Sequence, residues 1–303
     1  FVDRYKDEEA IAGYDLINNL KADNFIKALQ QRSDNEYTLT YLYYYLFKSN
    51  CDINDEGVYK KFSDLFFKNL NLLSTDQKND FFGYMISRYF EKINAGSKEF
   101  LKDVFKLYNL KLKLGLYSEL KAIRYPSTAY RDYIVVGLRL KKYKWVEDFI
   151  KKYSDELPSE VRDIEINMAY TRLYMSKMEF DNALMYLDRL ETNNSLYLLD
   201  ASRIRLRIYY EMMKFEEAIL EVDRIKHYIK NNTKRIALSV RKYSKDFLEK
   251  YNELLKLRLS PDKKEIDYFK KRLEDSAGLV LREWLLEKLN EMQGGSALNS
   301  NKG

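Results

Sequence analysis

Two thirteen-residue segments, MEFDNALMYLDRL at 178–190 and MKFEEAILEVDRI at 213–225, align without a gap. Phe180 recurs as Phe215, and apolar residues recur behind both, at an interval of 35 residues. Similarity at a fixed interval of this size indicates a repeat protein, in which each unit buries its apolar face against its neighbours. This interval constrains the fold more than any other feature of the chain.

The unit that repeats is predicted to be helical. The chain of 303 residues contains only 3 Pro and 10 Gly, and apolar residues recur three and four positions apart almost throughout. The pattern predicts sixteen helices between residues 7 and 292, with connections of two to five residues. Short connections force neighbouring helices to pack antiparallel. We therefore predict an all-α chain of stacked helical hairpins.

Each copy carries aromatic and small residues at fixed offsets. Tyr174 lies six residues before Phe180, and Ala183 lies three residues after it. The next copy keeps both offsets around Phe215, and a weaker upstream copy is aligned with Trp145 in the same position. The aromatic residue should open the second helix of a hairpin and cap its core. The alanine should face the first helix and allow the two axes to approach closely.

This pattern resembles the tetratricopeptide repeat family, whose unit is a helix–turn–helix of about 34 residues. The residues that carry the resemblance are Tyr174, Phe180, Ala183, Leu187, Tyr209, Phe215, Ala218 and Val222. The match covers roughly residues 128–230, as two good copies and one weak copy. The resemblance implies a right-handed α-solenoid, a superhelix of antiparallel helical hairpins with a concave groove.

The sequence also departs from the family pattern. Tyr170-Thr171 and Arg205-Leu206 stand where a Leu-Gly pair is usual, and the closing proline is absent. In the weak copy, Asp148 replaces the alanine and Arg139 replaces the tyrosine. The pattern therefore indicates an architecture and not a subfamily.

The domain prediction follows from where the repeat is visible. Residues 1–125 should form divergent N-terminal hairpins, 126–257 the tetratricopeptide-like repeats, and 258–292 a C-terminal capping pair of helices. The tail at 293–303 is small and polar, which is typical of a flexible tail or a cloning remnant. Because residue 1 is Phe, we expect a trimmed domain of a longer protein.

The residues that most catalysis and metal binding require are scarce. The chain has one histidine, His227, which we expect at the surface, and one cysteine, Cys51, which excludes an internal disulfide. No GxGxxG segment occurs. We predict no catalytic residues, no metal, no cofactor and no enzymatic activity. No apolar run approaches the ~20 residues of a membrane span, and the single cysteine fits a reducing, cytoplasmic setting.

The distribution of charge suggests an anionic partner. Residues 224–245 contain eight Lys or Arg and no Asp or Glu, in a chain of net charge +6. Two interpretations carry equal weight: a solvated helix face next to a turn, and a patch that attracts anions.

Family geometry places particular residues in the concave groove. Counted back from the aromatic that opens each second helix, the groove positions are occupied by Tyr130, Tyr133, Arg172, Arg203, Arg207, Tyr210, Arg235, Lys242 and Lys245. The resemblance thus implies a basic, Tyr-rich groove. The carboxylate clamp of some family members is not matched, because Met168 and Ala169 occupy its positions.

Two functions remain open. The first is a protein–protein interaction module or scaffold, which binds an acidic or extended partner segment in this groove. The alternative is binding of RNA or another single-stranded nucleic acid through the basic 224–245 surface, with Tyr228 and Tyr243 as stacking platforms. The sequence gives no information on the oligomeric state.

Overall fold

The computed structural model describes residues 24, 26–27, 37–117, 126–276 and 281–299. Every regular element within these residues is helical and none is a strand, which confirms the all-α class. The predicted helices at 7–20, 22–32 and 117–124 lie wholly or largely outside the described residues. The chain divides into two compact units, unit 1 (residues 1–123) and unit 2 (residues 124–303).

The described part of unit 1 is built from two helical hairpins. Its α-helices are α1 (Thr38–Cys51), α2 (Glu56–Lys68), α3 (Thr75–Asn94) and α4 (Leu101–Lys113). Helix α1 packs on α2, and α3 packs on α4. Side-chain caps fix two of the starts: Asp55 accepts from the amide of Val58, and Ser74 forms a capping box with Gln77.

Helix α1 differs from its prediction. The segment YTLTYLYYYLF at 37–47 is apolar on nearly all sides, and such a helix is expected to be central in a layer. Leu42 is fully buried, but Tyr43 and Phe47 are exposed. The core of unit 1 is instead dominated by aromatic residues of α2 and α3, among them Phe62 and Phe81, which lie 5.7 Å apart between ring centroids.

A lysine is buried at the end of α4. Lys111 lies beside the apolar cluster that contains Leu107 and Leu116, and only 8% of its surface is exposed. Burial lowers its pKa to about 8, because the ammonium loses hydration. Lys111 therefore destabilises unit 1 at neutral pH.

Unit 2 contains nine helices among its described residues. They are α5 (Pro126–Arg139), α6 (Tyr143–Tyr153), α7 (Ser159–Ser176), α8 (Phe180–Asp188), α9 (Ser195–Glu211), α10 (Phe215–Asn231), α11 (Leu238–Leu259), α12 (Lys263–Glu274) and α13 (Arg282–Asn299). Successive helices pair as α5–α6, α7–α8, α9–α10 and α12–α13. Helix α5 also packs on α7, and α9 on α11.

Three hairpins of unit 2 share one turn. Lys141, Met178 and Met213 each have a positive φ, between 56° and 62°, directly after the first helix. In each turn the next residue donates its amide to a carbonyl five residues earlier: Lys142 to Gly137 at 2.9 Å, Glu179 to Tyr174 at 2.9 Å, and Lys214 to Tyr209 at 2.8 Å. This left-handed residue ends one helix, and the next helix begins two residues after it.

The common turn corrects the alignment of the weak copy. The second helices begin at Phe180, at Phe215 and at Tyr143, so Tyr143 and not Trp145 is the counterpart of the two phenylalanines. The predicted alignment was wrong by two residues. With the correction, Val146 takes the alanine position that the sequence prediction gave to Asp148.

The corrected alignment reveals a compensating exchange. Ala183 and Ala218 are fully buried, and the matching position of the first helix holds a tyrosine in both hairpins. In the α5–α6 hairpin the small residue is on the other helix: a Cβ on Gly137 would lie 2.5 Å from Cγ2 of the buried Val146. In each hairpin, one partner of the pair is small enough for the helices to approach.

The C-terminal region forms a hairpin, α12–α13, as expected. Trp284, Leu285 and Leu289 of α13 are buried in the cluster that includes α11. Helix α13 continues to Asn299, beyond the predicted end at 292, so part of the expected flexible tail is helical. Helix α11 starts at Leu238 and not at the predicted residue 233, because a turn occupies the intervening residues.

Replacing Lys111 by methionine should stabilise the protein in a pH-dependent way. The folded pKa of about 8 lies below the unfolded value, so the unfolded chain binds more protons between these pKa values and stability rises with pH across that window. We expect Lys111→Met to raise the free energy of unfolding by about 2–3 kcal/mol at pH 7. The gain should shrink above pH 8 and vanish near pH 10.5. Urea unfolding at pH 7 and pH 10 measures both. The exposed Lys113 of the same helix provides the control, Lys113→Met, with a change within about 0.5 kcal/mol.

The close approach at Gly137 makes a second prediction. Gly137→Ala should lower the free energy of unfolding by about 1–3 kcal/mol, because the new methyl group overlaps the buried Val146. Gly83→Ala is the matched control: Gly83 lies inside α3 with open space around it, and the substitution should stabilise by about 0.5–1 kcal/mol. The variant Gly137→Ala/Val146→Ala should lose less than the sum of its single variants. Additive losses in urea unfolding would contradict the proposed contact.

Candidate functional site

A groove of about 720 Å³ crosses unit 2 and is partly open to solvent. We call it the central groove. It is lined by Leu138 and Arg139 of α5, Arg172 and Met175 of α7, Arg207 of α9 and Trp284 of α13, with further residues described below. The groove therefore draws on the first helix of three hairpins and on the start of the last helix.

The shared turn explains why these side chains face the same space. In α7 and α9, Arg172 and Arg207 each lie eight residues before the aromatic that opens the following helix. With Tyr143 as the reference residue, the same count leads to Val135 in α5, which also lines the groove. Helices of common length and register place equivalent positions side by side. Helices α7 and α9 are joined directly by side-chain contacts, described next.

Charge at the centre of the groove is largely balanced. Asp200 of α9 forms an ion pair with Arg172 of α7, and a second with Arg203 one turn further along its own helix, at 3.2 Å. The side chains of Arg172 and Arg203 are 20% and 14% exposed and that of Asp200 is 33% exposed, so both pairs are partly shielded from water. The carboxylate therefore neutralises part of the charge that the two arginines bring to the centre.

Arg207 is a cation without a carboxylate partner. No described carboxylate lies within ion-pair distance of its guanidinium, whose nearest aromatic neighbour is the Trp284 ring, 5.5 Å from centroid to Cζ. Its Nε is buried and has no acceptor among the described residues. Burial lowers the pKa of Arg207, and the carboxylates of Glu211, Glu287 and Asp200 partly offset this effect. Arginine remains charged under such conditions.

The far side of the groove is a second cationic position. Arg139, the last residue of α5, lines the groove, is exposed, and forms no ion pair with the described part of the chain. Among the described residues, five arginines line the groove, Arg139, Arg172, Arg203, Arg207 and Arg282, against three carboxylates, Asp200, Glu283 and Glu287. The groove thus carries a cationic excess, and three of these arginines lack a carboxylate partner among the described residues: Arg139, Arg207 and Arg282, of which Arg282 is bonded to backbone carbonyls.

Helix α13 forms one wall of the groove. Trp284 donates Nε1–H to Glu211 of α9 at 2.9 Å, and its ring stacks on Tyr251 with 6.1 Å between centroids. Lys288, one turn later, forms an ion pair with the same glutamate at 3.0 Å. Arg282 donates to the carbonyl of Leu273 and ties the start of α13 to α12. These contacts hold the wall in place, so Arg282 is engaged within the fold.

The structure separates the predicted groove residues into three sets. Arg172, Arg203 and Arg207 line the central groove. Tyr130, Tyr133 and Tyr210 are instead buried, with exposures of 0%, 3% and 6%. The Tyr130 hydroxyl is bonded to Ser154 at 2.9 Å inside the α5–α6 hairpin. For Tyr130 and Tyr133 the error has a definite cause, which is the two-residue misalignment of the weak copy.

The third set lies outside the central groove. Lys242 and Lys245 are exposed on α11, and Arg235 is in the turn before that helix. Arg235 lines a separate depression of about 400 Å³ next to Ser195 and Leu196. The 35-residue step fails here because the α10–α11 connection differs from the three turns upstream. The α11 side chain that reaches the Arg203 guanidinium is Tyr243, with its ring centroid at 5.2 Å.

The basic run at 224–245 is less free than its sequence suggests. Arg224 is paired with Glu221, and Lys226 lies 3.7 Å from Asp223. Both carboxylates precede the run, so a count of charged residues within the run does not include them. Tyr228 is bonded to Ser195 at 2.9 Å, and His227 is exposed as predicted. The two tyrosines proposed as stacking platforms, Tyr228 and Tyr243, thus both make contacts within the fold.

Sequence reasoning missed several residues of the site. Arg139 and Leu138 become visible once Tyr143 replaces Trp145 in the alignment. Asp200 lies fifteen residues before Phe215, the same count that leads from Trp145 to the predicted groove residue Tyr130, so it could have been found. No local signal could have found Trp284, because the chain returns to α9 from a helix that is distant in sequence.

A polar network around a buried carboxylate joins α5, α7 and α9, the three helices whose residues line the groove. Arg131 of α5 donates Nε–H to both carboxylate oxygens of Glu165 of α7 at 2.9 Å. Tyr197 of α9 donates to the same carboxylate at 2.6 Å, and Glu165 is only 1% exposed. A buried carboxylate with this many donors is well satisfied, so the network fixes α5, α7 and α9 relative to one another.

The described residues give no indication of a metal site, a membrane span or a reactive thiol. Among the described residues, no group of three or more His, Cys, Asp or Glu is arranged to hold a metal ion. None of the helices in the described ranges combines the length and apolarity that crossing a bilayer requires. Burial raises the pKa of the Cys51 thiol, which disfavours the nucleophilic thiolate. Comparison with protein-family models, with curated proteins and with solved structures finds no match to this chain.

The role of Trp284 in holding the groove wall can be tested by substitution. Trp284→Ala should lower the free energy of unfolding by about 3–5 kcal/mol, because it empties a site packed against Tyr210 and Tyr251. Trp284→Phe keeps an aromatic ring and loses the hydrogen bond to Glu211, so we expect a loss of about 1–2 kcal/mol. Urea unfolding followed by circular dichroism measures both. Equal losses for the two variants would show that the ring contributes nothing.

Proposed function

We propose that unit 2 is a tetratricopeptide-like interaction module that binds an extended, acidic segment of a partner protein in the central groove. The hairpins would form a right-handed superhelix, with α5, α7 and α9 on its concave side. Support for this architecture comes from the turn that three hairpins share, with the same hydrogen bond at Lys142, Glu179 and Lys214. The packing of α5 on α7 and the ion pair from α7 to α9 agree with it.

The observation that carries the functional proposal is the cationic excess in the groove. Arg139 and Arg207 line it and have no carboxylate partner among the described residues. A guanidinium offers a planar fork of donors that matches a carboxylate, and partial burial strengthens the attraction. The apolar side chains of Leu138 and Met175 line the same groove and suit the carbon atoms of a peptide. An acidic segment with some apolar side chains fits this lining.

Binding of single-stranded RNA through 224–245 is the less favoured function. Arg224 and Lys226 already have carboxylate neighbours, and Tyr228 is engaged by Ser195. Stacking on bases requires aromatic faces that are free to receive them. The RNA interpretation therefore becomes an outcome of the binding test: a salt-dependent gel shift that Lys242→Glu abolishes and Arg139→Glu leaves unchanged would favour it.

The peptide-binding proposal predicts a charge-dependent interaction that maps to the groove. The probe is a library of fluorescein-labelled decapeptides in which half of the positions are Asp or Glu, tested with the full chain. We expect binding that weakens between 50 and 300 mM salt, and a loss of about tenfold or more in Arg139→Glu. Lys242→Glu makes the same change of charge at an exposed site outside the groove and should retain nearly full affinity.

Variants inside the groove supply the second half of this test. Arg207→Glu should also weaken binding, and thermal unfolding must show that α13 remains in place, since Arg207 lies beside Trp284. If Lys242→Glu weakens peptide binding as much as Arg139→Glu does, the attraction is a general property of a basic surface, and the central groove is not the site.

A further inference from the structure

Arg139 and Arg207 are the two groove arginines with neither an ion pair nor a hydrogen bond among the described residues, and one helix lies between them. Arg139 belongs to α5 and Arg207 to α9, and α7 lies between these helices, in contact with α5 and ion-paired to α9. Packed helices lie about 8–10 Å apart, so two steps of this size put the axes of α5 and α9, which carry Arg139 and Arg207, on the order of 16–20 Å apart. No single small anion can bridge that distance.

The middle of the groove, in contrast, offers no comparable cation. Asp200 forms ion pairs with both Arg172 and Arg203. Next to these pairs lie Met175 and Ile204, and Ile204 is 6% exposed. The centre thus combines balanced charge with apolar surface, and a further anion placed there would compete with Asp200 for its arginines.

The wall formed by α13 adds negative charge on one side. Glu283 and Glu287 both line the groove, and Glu287 lies 3.5 Å from Lys288. These carboxylates face the same space as Arg207 and disfavour an anion that lies toward α13. The favourable positions for anionic groups therefore lie along the line from α5 to α9, at its two ends.

Resting on the proposed function, we infer that the groove selects partner segments with two acidic side chains five or six residues apart and an apolar side chain between them. An extended or polyproline-type chain rises about 3.1–3.3 Å per residue, so five or six residues span the distance between the two cations. One carboxylate meets Arg139 and the other meets Arg207. The central apolar side chain rests on Met175 and Ile204.

The experiment varies only the spacing of charge. Acetylated and amidated thirteen-residue peptides carry two Glu at positions i and i+3, i and i+6, or i and i+9. Each peptide has one Leu between the two Glu, and the composition is otherwise identical. Their affinity for the full chain is measured by fluorescence polarisation in 50 mM salt. We expect the six-residue spacing to bind about tenfold more tightly than either of the others, since only it engages both arginines.

Two substitutions identify which cation each carboxylate meets. Arg139→Gln and Arg207→Gln should each weaken the six-residue peptide by about tenfold, to the level of a peptide with one Glu. On a one-Glu peptide each single variant should lose little, because the other arginine remains, whereas the double variant should lose about tenfold. Lys242→Gln is the matched control and should leave all affinities unchanged. Because Arg139 is exposed, its variant reports on binding even if Arg207→Gln disturbs α13.

The outcomes distinguish the inference from the function on which it rests. If all three spacings bind equally and Arg139→Gln weakens each of them, the groove binds acidic peptides but the spacing rule is wrong. If no peptide binds at millimolar concentration, or if binding ignores both substitutions, the proposed function is overturned as well. Replacement of the central Leu by Asn should cost affinity only with the six-residue spacing, and an equal cost with all spacings also contradicts the inference.

Discussion

The close contact between the two helices of each hairpin determines most of unit 2. A turn with one left-handed residue brings the helices together, and a small residue on one of them allows the approach: Gly137 against Val146, and alanine at 183 and 218. The contact fixes the rotation of the first helix about its own axis. That rotation decides which side chains enter the core and which face the central groove, so the chemistry of the groove follows from packing on its other side.

The sequence was a good guide to the hairpins, because the information they need is local. Helical periodicity and short connections predicted α7 to α10 to within a few residues. The weak copy was misaligned because two aromatic residues, Tyr143 and Trp145, lie two positions apart. Neither has an alanine three residues later, so the alanine position could not distinguish between them. In the structure, the left-handed residue Lys141 matches Met178 and Met213, and this match identifies Tyr143 as the counterpart of the two phenylalanines. The exchange of small and large residues at Gly137 and Val146 conserves volume while hiding the repeat from pattern matching.

The candidate site could be predicted only in part, because its prediction depended on the alignment of the repeats. Arg172, Arg203 and Arg207 follow from counting back from a correctly placed phenylalanine. Tyr130 and Tyr133 were misplaced because a shift of two residues on a helix rotates a side chain by about 200°, which moves it from the groove to the core. The wall residue Trp284 belongs to a long-range contact, made when the last hairpin folds back to α9, and a local pattern contains no record of such a contact.

The arrangement of charge shows why counting basic residues is a poor guide to binding. The run at 224–245 is the most basic segment of the chain, yet Arg224 and Lys226 are matched by carboxylates that precede it. In the groove, Asp200 balances the centre, and Trp284 covers Arg207 with a ring instead of a carboxylate. An aromatic face stabilises a cation without cancelling its charge. Arg207 therefore keeps its charge in a partly dry position, where attraction to an anion is stronger than at the surface. If the groove binds as proposed, its selectivity would arise from where charge is cancelled as much as from where it is present.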